Sequence, residues 1–195
     1  MKTKRMTVPV KYIVRPLTPD LWPSFEQLFG KSGACNGCWC IYWLIGPEYN
    51  KRPRDKNKSA FRRLVKRGPP PGLLAFDGEA PVGWCLLAPR NSLKWLDSRP
   101  SIRRIAGDRV WSIPCFFVHR QYRKRGVTSA LIAAAVTAAK RAGGSSLECY
   151  PIEADAPGAS GNLFTGVAST FARAGFKTIG RRGSRSPIMR RLLRA

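Results

Sequence analysis

Apolar residues recur along this chain at two spacings, every second position and every third or fourth. Breaks rich in Gly, Pro and charge separate them. Residues 11–15 read as a first strand. Leu21, Phe25, Leu28 and Phe29 share one helical face, which predicts a helix from a cap at Thr18 or Asp20 to Phe29. Residues 30–46 carry Gly, Cys and aromatic rings in neither period, and 51–58 are charged, so both read as connections. A short basic helix over 59–66 follows, stopped by Gly68 and the prolines Pro69 to Pro71. Residues 73–76 and 81–87 read as two strands around an Asp77-Gly78 turn. Residues 91–108 form a polar loop with helical turns.

The stretch 110–118 is apolar on both faces apart from Ser112, the pattern of a central strand. Pro114 inside it has no N–H for a ladder, which predicts a bulge or a place where the sheet opens. Val127, Ala130, Leu131, Ala134 and Ala138 mark the clearest helix, over 127–142, with a small-residue stripe that permits close packing on a sheet. Gly143-Gly144 ends it. A strand over 147–150, a loop through Gly158 and Gly161, a helix over 163–174 closed by Gly175, and a hairpin of 176–179 with 188–192 complete the pass. Alternating strands and helices predict an α/β or α+β layered domain. The length fits one domain over 1–195, with a core at about 11–192 and a flexible first ten residues.

Charge changes this picture. Thirty-five Lys and Arg against 11 Asp and Glu give a net charge of +24. Such a balance attracts nucleic acid, an anionic membrane surface or a phosphate-rich ligand, although the basic residues are spread along the whole chain and serve solubility equally well. No apolar stretch follows the basic start, and the run 130–139 is too short to span a bilayer. A cytoplasmic protein with no membrane partner is the expectation. Cys85, Cys115 and Cys149 sit singly inside apolar runs and read as buried strand thiols, which a reducing compartment suits.

The chemistry concentrates after the central strand. A basic turn with Arg120, Arg123, Lys124 and Arg125 runs into Gly126, and the small-residue helix begins. Gly126 permits close backbone approach, and a helix start flanked by cations is an anion site. Neither a P-loop nor a GxGxxG fingerprint is present. Strand, Arg123-x-x-Gly126-x-Thr128 and helix together resemble the acetyl-CoA motif of GNAT-superfamily N-acetyltransferases. Thr128 departs from the usual Gly or Ala at the last position. Val82-Gly83-Trp84, Phe116-Phe117-Val118 and Phe171 to Phe176 match in order, so the resemblance covers nearly the whole chain. A Cys-Trp-Cys loop and the strand end Glu148-Cys149-Tyr150-Pro151 resemble a bacterial subgroup of that superfamily.

The resemblance implies a GNAT fold: a central, mixed but mostly antiparallel sheet splayed at its fourth and fifth strands and flanked by helices. It implies acetyl-CoA as cosubstrate. The cofactor would contact Phe116, Phe117 and Val118 through the strand backbone, with the amide of Phe116 or Phe117 polarising the thioester carbonyl. Its pyrophosphate would lie on Arg123, Lys124, Arg125, Gly126, Val127 and Thr128. Glu148 is the candidate base, against a structural carboxylate paired with arginine. Where family members place a Tyr acid this chain has Phe171, which leaves Tyr150, Ser169 or unassisted departure of the thiolate. His119 reads as a surface turn residue. Cys35, Cys38 and Cys40 fall short of the four ligands of a structural zinc site, so no metal is expected. In the fold the connection 30–57 walls the acceptor side, so Trp39, Tyr42 and Trp43 are the candidate substrate contacts. They point to a small amine with an apolar or aromatic body. A charged tRNA, a protein amine or a non-catalytic binding module are the alternatives, and a second copy of the chain is a candidate partner.

Overall fold

The computed structural model describes residues 12–103, 105, 107–153, 164–183 and 186–193. The expected flexible start and the Gly158–Gly161 loop lie outside them.

The chain begins with β1 (Ile13–Pro16), a turn of 3-10 helix and α1 (Trp22–Phe29). Trp22, Phe25, Leu28 and Phe29 are buried along the expected face, while Leu21 stays at its edge. A loop leads to the single turn α2 (Tyr42–Ile45), and then to α3 (Arg54–Arg67). This helix starts five residues earlier than its apolar spacing suggests. Asn57 continues the stripe of Phe61 and Val65 inward, and its side-chain amide donates to the carbonyls of Gly37 (3.1 Å) and Tyr49 (2.9 Å). A buried polar residue at a core position concealed that turn from a hydrophobic reading.

β2 (Gly72–Asp77) and β3 (Ala80–Leu86) form the expected hairpin, followed by β4 (Ala88–Pro89), α4 (Lys94–Asp97) and α5 (Pro100–Arg103). The central strand is divided into β5 (Val110–Ile113) and β6 (Phe116–Val118). After α6 (Val127–Arg141) come β7 (Ser146–Cys149), α7 (Ala168–Arg173) and the hairpin β8 (Lys177–Arg181) with β9 (Pro187–Leu192). α7 begins later than expected because Gly166, at φ +82°, breaks the backbone just ahead of it. Among the described residues no helix is long and apolar enough to cross a membrane.

The strands fall into two sheets, ordered β1-β2-β3-β6 and β4-β5-β7-β9-β8. Among the described strands β5 and β7 alone form a parallel ladder, from Val110 opposite Ser146 to Ile113 opposite Cys149. The remaining ladders between these strands are antiparallel. Helices cover both faces. On one, α1, α2 and α3 bury Phe25, Phe29, Trp39 and Phe61 around Trp84, with ring centroids 4.0–6.3 Å apart. Such ring pairs contribute about 0.5–1.5 kcal/mol each beyond burial. On the other, α6 and α7 pack on Ala75, Cys85, Ile113 and Leu147. The most deeply buried stripe of α6 is Val127, Leu131, Ile132, Ala135 and Ala139, rotated from the alanine stripe expected. Ala130, Ala134 and Ala138 flank it. The close approach is real: a Cβ on Gly83 would lie 2.4 Å from a Val127 methyl.

Candidate active site

The site begins where two parallel strands separate. β5 and β7 stay together to Ile113 and Cys149; past Pro114, β6 pairs with β3 instead. The proline removes a ladder donor at the point of divergence. The register then decides which groups face the opening. Leu86 N–H donates to the Cys115 carbonyl (3.1 Å) and His119 N–H to the Val82 carbonyl (3.0 Å). By antiparallel alternation Phe117 directs its own amide and carbonyl toward Trp84 in the same way. Phe116 and Val118 therefore turn their peptide groups away from β3, into the opening. Of the two amides expected to polarise a thioester, Phe116 is the one so aimed.

At one end of the opening lies the basic turn. Lys124 (φ +59°) and Gly126 (φ +88°) carry the chain through left-handed backbone into α6. The first α6 bond to a described carbonyl runs from Ala130 N–H to Gly126 C=O at 3.0 Å, so the amides ahead of it face outward. A Cβ placed on Gly126 would meet nothing within 4 Å. Arg123, Lys124 and Arg125 are exposed, and no ion pair ties them to a described acid. Arg123 reaches back to the Val118 carbonyl (3.4 Å), Arg125 lies over the Tyr122 ring, and Tyr12 fastens the Arg125 carbonyl at 3.1 Å. Val127 packs into the core and Thr128 stands half-buried on the first turn. A concave run of free amides with three cations around it binds a diphosphate well. His119 sits beside this turn with its ring 6.1 Å from Tyr122 and its Nδ1 buried and unpartnered.

On the opposite face a cavity of about 540 Å³ is walled by Tyr42, Trp43, Arg99, Ile152, Thr165 and Arg182. Its wall residue Thr165 leads into Gly166, where a Cβ would stand 3.3 Å from the Phe116 ring. Tyr42 and Trp43 meet edge to face at 4.9 Å. Trp39 does not join them: it stacks on Phe29 and Trp22 in the core at 3% exposure, over Gly33, where any side chain would collide with its indole. Sequence reasoning missed Arg99 and Arg182, because nothing in their local context separates them from the other basic residues.

Glu148 and Tyr150 lie together, fully buried, in one network. The Glu148 carboxylate accepts from Arg190 (Nε, 3.0 Å), from Arg90 (3.4 Å) and from the Tyr150 hydroxyl (2.9 Å), which is also 3.0 Å from Ser112 Oγ. Burial, then the Glu148 charge, push the Tyr150 hydroxyl well above its ordinary pKa. This is the arrangement of the structural carboxylate paired with arginine. A base must be reachable by the proton it takes, and neither residue has exposed surface. Phe171, in the position of the family's Tyr, is buried against Phe116 and Phe176, and Ser169 is on the exposed side of α7.

The cysteine loop turns its thiols apart. Cys35 is exposed, whereas Cys40 is buried with its sulfur 2.9 Å from the Trp84 indole nitrogen and 3.8 Å from Cys115 Sγ. Burial raises Cys38 to about 12. Among the described residues no three His, Cys, Asp or Glu side chains gather as a metal site.

A sheet opened beside an unpaired strand edge, with a diphosphate cradle at one end and a half-open cavity across from it, is the arrangement of a coenzyme-A-dependent acyltransferase. The model of the Acetyltransferase (GNAT) family matches residues 38–158, more than half of the chain. The chain therefore belongs to the GNAT acetyltransferase family, whose acetyl donor is acetyl-CoA. Solved structures share the fold. A GCN5-related N-acetyltransferase from Kribbella flavida aligns at TM-score 0.58 and 18% identity, over 95% of this chain and 100% of that one. An N-acetyltransferase from Staphylococcus aureus Mu50 aligns at 0.55 and 10%, over 94% and 99%. The structure of yncA from Salmonella typhimurium, solved with its cofactor acetyl-CoA, aligns at 0.53 and 12%, over 94% and 95%. No protein of curated function matches the sequence.

Proposed function

We propose that this protein transfers the acetyl group of acetyl-CoA to the amine of a small molecule with an apolar or aromatic body. The observation that carries the acceptor is the half-open cavity bearing Tyr42 and Trp43, whose wall at Thr165 leads into Gly166 beside the Phe116 ring. Aromatic walls hold apolar groups, and hold cationic ones by about 0.5–2 kcal/mol. The outward amides of α6 and Arg123, Lys124 and Arg125 hold the pyrophosphate, and the peptide groups of Phe116 and Val118 pair with the pantetheine arm as a strand would.

The acceptor nitrogen attacks the thioester carbon, and the Phe116 amide takes the developing oxyanion. The C–S bond breaks, the electron pair leaves on sulfur, and the proton of the new amide's nitrogen passes to solvent. A thiol of pKa about 8.5 is a fair leaving group without an acid beside it. Glu148 and Tyr150 serve this reading as positioning residues that hold β7 against β9 at the mouth of the opening. The six free thiols suit the reducing cytoplasm.

Release of free thiol from acetyl-CoA over a panel of small amines tests the proposal, beside charged tRNA and a peptide substrate. Turnover of apolar amines is expected, with Arg123→Ala weakening acetyl-CoA binding about tenfold. Acetylation of tRNA or peptide with no small amine turned over would overturn the acceptor, and the net charge of +24 would then be the better guide.

A further inference from the structure

The basic side chains near the cavity divide into two groups. Arg181 pairs with Glu153 at 2.8 Å, Arg90 lies between Asp97 (3.3 Å) and Glu148, and Arg190 holds Glu148. Arg99 and Arg182 line the cavity itself, and neither pairs with a described acid. Each is held in place by other means. Arg182 follows β8, donates to the Tyr150 carbonyl at 2.9 Å and lies over the Tyr150 ring, 5.4 Å from its centroid. Its Nε is buried with no hydrogen-bond partner. Arg99 lies over Trp95 at 5.2 Å.

Two guanidiniums facing one cavity repel one another, and a buried N–H without an acceptor is destabilising. Burial lowers the pKa of Arg182 and the like charge of Arg99 adds to it, against the Tyr150 and Tyr42 hydroxyls, which raise it. An anion in the cavity would relieve the repulsion and offset the desolvation of the guanidinium. The planar guanidinium fork fits a carboxylate with two parallel bonds. Tyr42 and Trp43 stand on the same wall for the apolar part of the ligand.

Resting on the acceptor reading above, we infer that the acceptor is an amine that also carries a carboxylate, an apolar or aromatic amino acid in chemical terms, with the carboxylate held by Arg182 and Arg99. The amine then lies on the side of the cavity toward Phe116, and the side chain on Tyr42 and Trp43.

The test separates binding from turnover. Calorimetry on the full chain compares 3-phenylpropanoate, which has the carboxylate but no amine, with 2-phenylethylamine, which has the amine but no carboxylate. The carboxylate is expected to bind about tenfold tighter, and Arg182→Gln to remove that advantage while changing amine binding less than about twofold. Arg99→Gln, an exposed position, is expected to weaken the carboxylate about threefold, and it carries the test if Arg182→Gln does not fold. Equal binding of the two compounds, or a carboxylate advantage that survives both substitutions, would overturn the inference. So would tighter binding of the matching phosphonate than of the carboxylate. Thiol release with phenylalanine against 2-phenylethylamine is the second arm. If no small amine is acetylated but 3-phenylpropanoate binds through Arg182, the anion subsite stands and the small-amine function falls. If both amines are acetylated equally, the function stands and the subsite falls.

Discussion

The two ends of the active site are built in different ways. The proposed cradle is one contiguous segment, 123–128, built on backbone — left-handed residues, free amides and a helix start — with the three basic side chains of the same segment around it. The cavity is assembled from α2, the α4–α5 corner, the end of β7, the segment before α7 and the β8–β9 turn, and it works through side chains. Backbone recognition tolerates sequence change so long as the turn survives, which suits a cosubstrate common to the family. Side-chain recognition gathered from five elements changes with any one of them, which suits an acceptor that differs between relatives.

The sharpest way to break this contrast is Gly126→Glu. At φ +88° a side chain strains the turn, and its Cβ meets no protein atom within 4 Å, so the variant distorts the proposed cradle and brings a negative charge to it. Acetyl-CoA binding is expected to be lost, by about a hundredfold or more, while 3-phenylpropanoate still binds at the cavity. Calorimetry with both ligands checks it. Retained acetyl-CoA affinity would mean that the cradle lies elsewhere.

A smaller effect, on stability, is expected between the two ends. Glu148→Gln leaves the partly buried Arg190 without its carboxylate and Arg90 with Asp97 alone, a change worth about 3 kcal/mol of stability. The folded fraction should keep more than about a tenth of its turnover, with an unchanged pH profile. Denaturant unfolding and a pH–rate series measure the two. A hundredfold loss of turnover at wild-type stability would restore Glu148 as the base. Tyr150 adds a pH signature. Its hydroxyl is raised in the fold, so the stability that raised group contributes is complete below its ordinary pKa near about 10 and is lost as pH climbs through the folded value.

The same contrast explains what the sequence made legible. Hydrophobic period found β2, β3, α1 and α6 within a few residues, and Pro114 marked the opening of the sheet, because each is a local signal. The division of one predicted strand between two sheets follows from the register of β3, which lies some thirty residues upstream and leaves no trace in the strand itself. Glu148 was visible as a carboxylate on the right strand. The five-residue network around it was not, since Ser112, Arg90 and Arg190 come from three other strands or turns. Trp39 and Trp43 looked equivalent in the sequence. A left-handed turn at Trp39 and Cys40 (φ +45° and +58°) sends one ring into the core, and the turn of α2 brings the other to the cavity.

The smallest expected effect concerns that wall. Trp43 is 5% exposed and packs in the core, so its truncation would cost about 3–5 kcal/mol of stability and confuse the reading. Tyr42 is half-buried and meets both Trp43 and Tyr49 edge to face. Its loss removes one wall of the cavity and no part of the cradle. Tyr42→Ala should raise the KM for an apolar amine about three- to tenfold, leave acetyl-CoA affinity unchanged and lower kcat less than KM rises, since the ring binds ground and transition state alike. Tyr42→Phe should recover most of the loss, because the contact is made by the ring face and edge. Steady-state kinetics over apolar and polar acceptors decides it. An equal loss on both would make the ring a packing residue, and would leave Arg99 and Arg182 as the only side chains of the cavity with a claim on the acceptor.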